Sequence, residues 1–310
     1  MAGVVRFKMH LSEMSQMPAP FPSFRRFAAL SFCPMILAGF SAPALAQDGA
    51  DEVSVDIENA YAGDFLLVGA GAILAPDYEG SDDYTVGPAG GFRARVDGIG
   101  IYSSGMGIGA DFVPDTKGAR VALSLGPVIR YRNDRSGKVK DDVVNLLPRL
   151  DETWEAGVSA DISFRRLITP KDSLSLGGDV RWTFSGNRGG RIITTNVSYF
   201  TPVSHAAGFG ISVGMDHVND AYADYYYSID PGGSAASGLP VYQGKGGWKN
   251  TSGRIYFGYD LDGNLRNGGW AVGGAVNYTR LRGSAAATPI TSIRGDRDQW
   301  LAGAGIAYTF

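Results

Sequence analysis

The chain has 310 residues, of which 44 are glycine and 11% are aromatic, with a mean hydropathy of -0.06 and a net charge of -3 at pH 7. This composition offers too little continuous apolar sequence for a bundle of membrane helices, whereas an amphipathic barrel distributes its apolar residues by alternation. The negative charge argues against nucleic-acid binding, which requires a basic face.

Residues 1–46 are predicted to be a cleaved signal peptide. Arg25 and Arg26 precede a mostly apolar run that ends in the small-residue site Ala44-Leu45-Ala46, the order that export signals show. Two prolines in the run argue against the alternative, a retained membrane anchor. The single cysteine, Cys33, lies in this segment, so the mature chain would have no disulfide and no thiolate site. The segment carries four cations and one anion, and its removal takes the net charge from -3 to -6.

Apolar residues recur at every second position along most of the remaining chain. From Trp154 to Phe164 every even position is apolar, and every odd position is Gly, Ser or charged. Period two predicts strands. The same alternation covers 120–131, 173–184, 191–200, 208–217, 254–262, 270–281 and 298–310. We therefore predict an all-β, antiparallel transmembrane barrel over residues 63–310, preceded by a short acidic periplasmic leader at 47–62; the alternative is a soluble sandwich.

The ends of the predicted strands favour the membrane interpretation. Aromatic residues such as Trp154 and Phe164 end the apolar faces, where barrels place their interfacial girdles. The chain closes on an apolar set that includes Tyr308 and Phe310, and a terminal aromatic resembles the outer-membrane assembly signal. These features predict the outer membrane of a Gram-negative cell as the location. The expected partners are the barrel-assembly machinery, outer-membrane lipid and lipopolysaccharide.

The connections predict the size of the barrel. Short links alternate with long ones at 133–152, 219–251 and 283–297, as expected for periplasmic turns and outer loops. Eleven strands can be resolved, and an odd number would leave the two ends of the barrel on opposite sides of the membrane. We predict twelve strands, with ten as the alternative, and place the uncertain strand between Thr85 and Phe112, where glycines obscure the boundaries.

Candidate sites for chemistry are few. The mature chain has only His205 and His217, and neither has a serine at the i, i+2 spacing that a barrel hydrolase would use, so we predict no enzyme, no catalytic residue and no cofactor. The stretch from Pro76 to Tyr84 carries four carboxylates. We expect a solvated acidic turn there; the alternative is a divalent cation bridging to lipopolysaccharide phosphates.

Two further groups of residues are candidate sites. An aromatic loop on the outer side could bind ligands or partners, or could belong to the upper girdle or to an extended hairpin; its members are Tyr222, Tyr225, Tyr226, Tyr227, Tyr242 and Trp248. Charges of both signs are predicted on the lumen faces of neighbouring strands, where pairing would brace a narrow interior. These charges are Arg120, Arg130, Arg132, Glu155, Asp161, Arg165, Asp179 and Arg181.

The first strand and the stretch after it resemble the MipA/OmpV family of outer-membrane proteins. The most specific motif is Pro76, Asp77, Tyr78, Glu79, Gly80 and Ser81, and looser matches follow at Gly126-Pro127 and at Ser237-Gly238-Leu239-Pro240. The resemblance implies a non-enzymatic scaffold that brings a lytic transglycosylase together with a peptidoglycan synthase in cell-wall assembly. The alternative function is a narrow diffusion channel, or a ligand-binding or adhesive barrel that uses the outer aromatic loop.

Overall fold

The computed structural model describes residues 63–310, except residues 117, 187, 188 and 266. The predicted signal peptide and leader lie outside the described residues. Twelve antiparallel strands form a closed barrel in which each strand pairs with its sequence neighbours and the first pairs with the last. The predicted fold class and the count of twelve are confirmed, and the alternative of ten is wrong.

Most strands are 11 to 14 residues long. The strands are β1 Phe65–Pro76, β2 Tyr84–Val96, β3 Ile99–Ser103, β4 Gly107–Asp111, β5 Val121–Arg132, β6 Thr153–Arg165, β7 Ser173–Thr183, β8 Arg191–Pro202, β9 Ala207–Val218, β10 Gly247–Asp260, β11 Gly269–Leu281 and β12 Asp298–Thr309. The helices are α1 Asp220–Tyr227, α2 Pro231–Ser237, α3 Gly283–Ala287 and α4 Pro289–Ser292, with a 3-10 turn at Val144–Leu146. Within the described residues, none of these helices has the length and apolar character to cross a membrane.

The uncertain region contains three strands. Two of them, β3 and β4, have only five residues each. A two-residue turn joins β2 to β3, and both of its residues, Asp97 and Gly98, have positive φ angles of 52° and 82°, as a type I′ hairpin requires. Strands this short provide too few alternating positions for the pattern to stand out in the sequence.

The exterior of the barrel is apolar. On β6, Trp154 and Val158 are 43% and 51% exposed, while the intervening Glu155 faces the lumen and is fully buried. Aromatic pairs mark both ends of the outer surface. At one end the rings of Tyr278 and Trp300 lie 4.9 Å apart, and at the other those of Trp270 and Tyr308 also lie 4.9 Å apart. An apolar wall between two aromatic girdles is the surface of a barrel in the outer membrane.

The two rims of the barrel differ in their connections. One rim carries the short turns at 97–98, 166–172, 203–206 and 261–268, together with the end of the chain. Short turns belong to the periplasmic rim of such barrels. The other rim, which faces outward from the cell, carries the long connections and all four helices. The described N-terminal and C-terminal ends of the barrel therefore share the periplasmic side.

Candidate functional site

Four outer connections fold together over the mouth of the barrel; residues 77–83, 133–152, 219–246 and 282–297 are called the cap from here on. Each connection contributes to one apolar cluster whose members are at most 8% exposed. The members are Tyr78, Val139, Val144, Leu147, Ile229, Leu239 and Ile290. These segments leave the wall from four different hairpins, so their meeting in one cluster covers the outer mouth.

Helix α1 forms the second apolar part of the cap. Its N-cap is Asn219, whose side chain accepts a hydrogen bond from the backbone N–H of Tyr222 at 3.1 Å, the usual means of satisfying a helix start. Tyr222, Tyr226 and Tyr227 are 1–4% exposed and pack on one another and on the ends of β8, β9 and β11. They are neither an exposed binding loop nor a lipid-facing girdle, but the core of the cap.

The other members of the predicted aromatic loop occupy different positions. The hydroxyl of Tyr225 accepts a hydrogen bond from the backbone N–H of Asp151 at 2.8 Å. Tyr242 is half-buried and packs against both apolar clusters. Trp248 lies on the outer surface, 54% exposed, with its ring edge-on to His217 at 5.3 Å. The loop therefore has no single function, because its residues are divided between the cap interior and the outer girdle.

The acidic stretch after β1 is not the solvated turn that the sequence predicts. Asp77 is 3% exposed and accepts a hydrogen bond from the backbone N–H of Lys140 at 2.7 Å. The backbone N–H of Glu79 donates to the carboxylate of Asp134 at 3.0 Å. These two hydrogen bonds join the β1–β2 connection, which carries the family motif, to the β5–β6 connection. Among the described residues, no group of three or more His, Cys, Asp or Glu side chains is arranged to hold a metal ion.

Glu79, in the first segment of the cap, is the central residue of a buried ion cluster. Its carboxylate lies 2.9 Å from the ammonium of Lys249 and accepts a hydrogen bond from the hydroxyl of Tyr227. Lys249 is 1% exposed and also lies 3.6 Å from the carboxylate of Asp216. Burial, with a smaller contribution from the charge of Asp134, raises the pKa of Glu79 to about 7. This ion cluster joins the β1–β2 connection to strands β9 and β10 in a water-poor interior.

A second ion cluster lies on the lumen face of three adjacent strands. Glu155, fully buried, accepts hydrogen bonds from Arg132 at 3.1 Å and from Arg181 at 2.9 Å. Arg181 also pairs with Asp179 on its own strand. The cluster joins β5, β6 and β7 through side chains of opposite sign. Charge-assisted hydrogen bonds of this kind fix the geometry of the wall.

The remaining lumen candidates are spread along the barrel. Arg130, 5% exposed, donates to the hydroxyl of Ser104 at 2.9 Å. Arg165 lies 3.1 Å from Asp115, near the periplasmic rim. Asp161 is half-buried on β6. The prediction for Arg120 is wrong: it precedes β5 in the periplasmic turn and is exposed, because the strand begins only at the next residue.

The end of the chain completes the periplasmic girdle. The ring of Phe310 lies 4.6 Å from that of Tyr308, and its backbone N–H donates to the carbonyl of Leu66 on β1 at 2.9 Å. Phe310 is 73% exposed. The two terminal aromatic residues therefore lie at the seam where the last strand closes on the first.

A family model described as "MltA-interacting protein MipA" matches residues 68–310. The chain belongs to the MipA family. This confirms the resemblance seen in the sequence, and the match spans the barrel from its first strand to its last residue. No curated protein matches the chain.

Several solved structures are similar to this MipA-family barrel at low sequence identity. An outer-membrane channel from Pseudomonas putida F1 is 12% identical, with a TM-score of 0.46, covering 84% of this chain and 100% of its own. The NanC porin is 11% identical, with a TM-score of 0.42, covering 78% and 98%. The Pseudomonas putida toluene transporter TodX is 8% identical, with a TM-score of 0.39, covering 86% and 96%. At these values the similarities carry no inference about function.

Lys249 and Asp216 are functional candidates that the sequence reasoning missed. Asp216 could have been found by parity, since the even positions of β9 face the lumen. Lys249 could not, because the register shifts between Trp248 and Asn250, which interrupts the alternation at that point. In this MipA-family barrel His205 lies exposed in a periplasmic turn, far along the strand from His217, which packs on the outer surface.

Proposed function

We propose that this protein is a non-enzymatic outer-membrane scaffold whose closed barrel holds cell-wall enzymes at its periplasmic rim. The observation that carries the proposal is the cap, in which four outer connections share one buried apolar cluster. A covered mouth above an ion-paired lumen supports an anchoring role over solute passage. The family description, MltA-interacting protein, supports a murein-degrading lytic transglycosylase as the partner. A peptidoglycan synthase, which the resemblance seen in the sequence implies, is proposed as the second partner.

The periplasmic turn at 166–172 has the properties of a docking element. The carboxylate of Asp172 accepts hydrogen bonds from the backbone N–H groups of Leu167, Ile168 and Thr169 at 2.7–2.9 Å. It also accepts one from the hydroxyl of Tyr199 at 2.9 Å. Four donors on one carboxylate hold the turn in a single conformation, which lowers the ordering cost of binding.

This rigid turn presents an apolar side chain to the periplasm. Ile168 is 79% exposed, beyond the end of β6. An exposed apolar residue on an ordered turn can act as a binding anchor. Although burial acts to raise the pKa of Asp172, the hydrogen bonds from the turn outweigh it and hold that pKa below its usual range. The turn therefore keeps its shape throughout the neutral range.

A capture experiment tests the scaffold. The tagged barrel in gentle detergent should retain a lytic transglycosylase from envelope extracts, and Ile168→Asp should reduce the retained amount about fivefold or more, the loss expected of one apolar anchor. Val203→Asp, a change at a similarly exposed residue of the neighbouring turn, is the matched control and should retain the enzyme. Absence of a transglycosylase from the wild-type sample would contradict the proposed function.

A further inference from the structure

The outer half of β2 has a neighbouring strand on one side only. On one side β1 pairs with β2 along its whole length, from Pro76↔Tyr84 to Phe65↔Arg95. On the other side β3 pairs only with the segment from Arg93 to Val96. In the part of the chain that the structure describes, residues 84–91 of β2 therefore face no strand across the β3 side. The short β3–β4 hairpin leaves a lateral gap in the wall above it.

The contacts at the lower end of this gap show which backbone groups face it. The hydroxyl of Ser103 bonds to both the backbone N–H and the carbonyl of Phe92, at 3.1 and 3.2 Å. Both backbone groups of Phe92 thus point to the β3 side. Because the two groups of one residue share a side and successive residues alternate, Val86, Pro88 and Gly90 direct their backbone groups into the gap.

The ends of the open edge are already satisfied. Ser103 occupies the lower end, and at the upper end the ammonium of Lys140 donates to the carbonyl of Tyr84 at 2.5 Å. Pro88 has no N–H to leave unpaired, which is why proline is tolerated on an open edge. In the middle of the edge, no described residue forms a hydrogen bond across the β3 side with the N–H and carbonyl groups of Val86 and Gly90 or with the carbonyl of Pro88.

A side chain on the same segment also has an unused hydrogen-bonding group. Thr85 lies on the lumen face of β2 and is 7% exposed. Its hydroxyl has no hydrogen-bond partner among the described residues. The segment therefore offers polar groups both along its edge and immediately inside it.

The gap lies at the depth of the outer leaflet. The hydroxyl of Tyr84 accepts a hydrogen bond from the backbone N–H of Trp300, at 3.0 Å, and Trp300 belongs to the outer girdle. From that level β2 descends towards the periplasm, so Val86 and Gly90 lie on the membrane side of the girdle. Val86 is 69% exposed. Hydrocarbon cannot satisfy backbone N–H and carbonyl groups at this depth.

We propose that the gap binds an outer-leaflet glycolipid whose acyl chains begin at amide and hydroxyl groups, the chemistry of lipid A. Those groups lie just below the headgroup, and they would pair with the free edge of Val86 and Gly90 while a chain lies along the Val86 side chain. A polypeptide strand fits less well, because Pro88 lacks a donor and both ends of the edge are occupied. This site depends on the membrane location alone and is independent of the scaffold function.

Photo-crosslinking at matched positions tests the site. The photoreactive residue p-benzoylphenylalanine replaces Val86 in one variant and Val213 in the other. Val213 is 60% exposed on the outer surface, and its strand is paired on both sides. Both variants are placed in vesicles of equal parts lipid A and phosphatidylglycerol. The ratio of lipid A to phosphatidylglycerol adducts should be about fivefold higher at position 86 than at 213, as one net hydrogen bond would give.

Hydrogen exchange of the wild-type protein provides a second measurement. Exchange at the Gly90 amide should slow about fivefold in lipid A vesicles relative to phosphatidylglycerol vesicles, again for one net hydrogen bond, while exchange at Gly214 on the paired strand β9 should not change. Equal adduct ratios at the two positions, together with unchanged exchange at Gly90, would overturn the proposal. Adducts to a polypeptide at position 86 would also overturn it, in favour of strand pairing.

Discussion

Single buried charges account for much of the rigidity of this barrel. Glu155 has two arginine partners, Arg132 and Arg181, and almost no access to water. A carboxylate in that position is stabilised only by its partners, because burial alone penalises the charge. Removing one partner therefore lowers the free energy of unfolding by much more than the complete cluster contributes to it.

Glu155→Gln should destabilise the barrel by about 3 kcal/mol, since it removes the carboxylate that both buried guanidinium groups contact. The free energy of unfolding in urea, measured in detergent micelles, reports the change. Asp161→Asn on the same strand is the control, because one carboxylate oxygen of Asp161 has no hydrogen-bond partner among the described residues, and the effect of this change should be smaller. Equal losses in the two variants would contradict a bracing role for Glu155.

Glu79 makes the cap sensitive to pH. Its pKa is about 7 with the cap closed, against 4.5 for a free glutamate. A carboxyl group whose pKa is higher in the closed state stabilises the closed cap when it is protonated. This stabilisation is complete below pH 4.5 and is lost as the pH rises through 7. Trypsin cleavage at Lys245 in the cap should therefore accelerate several-fold between pH 6 and 8, relative to Glu79→Gln at each pH. A constant ratio of the two cleavage rates would contradict this assignment.

At the scale of secondary structure, helix α1 depends on its N-cap residue, Asn219. The side-chain carbonyl of Asn219 accepts from the N–H groups of Tyr222 and Arg191, at 3.1 and 2.8 Å, and its amide donates to the carbonyl of Gly189. One side chain thus starts the helix and joins it to the β7–β8 connection. This junction holds the tyrosines of the cap in place over the lumen.

Asn219→Ala should loosen the cap by about 1–2 kcal/mol, the usual cost of losing an N-cap. The expected result is an about tenfold faster trypsin cleavage at Lys245. The barrel should remain folded, as shown by a gel mobility that still changes on heating. Ser292→Ala at the end of α4, where the hydroxyl bonds only to preceding backbone carbonyls, should change the rate little. A cleavage rate equal to wild type in Asn219→Ala would show that α1 is held by its tyrosine packing alone.

The sequence predicts the long strands well and the cap poorly, for a physical reason. The two faces of a strand such as β6 differ along all 13 residues, because the lipid side requires apolar side chains and the lumen side accepts polar ones. The cap is built from short helices and irregular segments whose burial depends on contacts far apart in the chain. The contact of Glu79 with Lys249 joins the connection after β1 to the start of β10. No local sequence pattern encodes a contact between residues so far apart in the chain.

For the molecule as a whole, the cap determines whether the barrel is an anchor or a pore. The apolar cluster that contains Tyr78, Val139, Ile229 and Ile290 draws on all four segments of the cap. Removing one connection should therefore open the mouth without breaking the wall, because the strand ladders of β9 and β10 continue on both sides independently of the cap. Scaffold and channel functions make opposite predictions for the conductance of the wild-type protein, whose cap is intact.

Purified wild-type protein in planar bilayers should give no reproducible conductance steps, because the cap covers the outer mouth of the barrel. Replacement of residues 220–245 by a short Gly-Ser linker removes α1, α2 and the tyrosine core, and should produce discrete steps in most insertions. A second replacement, of the exposed periplasmic turn at 203–206, is the control and should remain silent. Reproducible steps from the wild-type protein would contradict a closed scaffold and establish a channel, because the same lumen would then conduct beneath an intact cap.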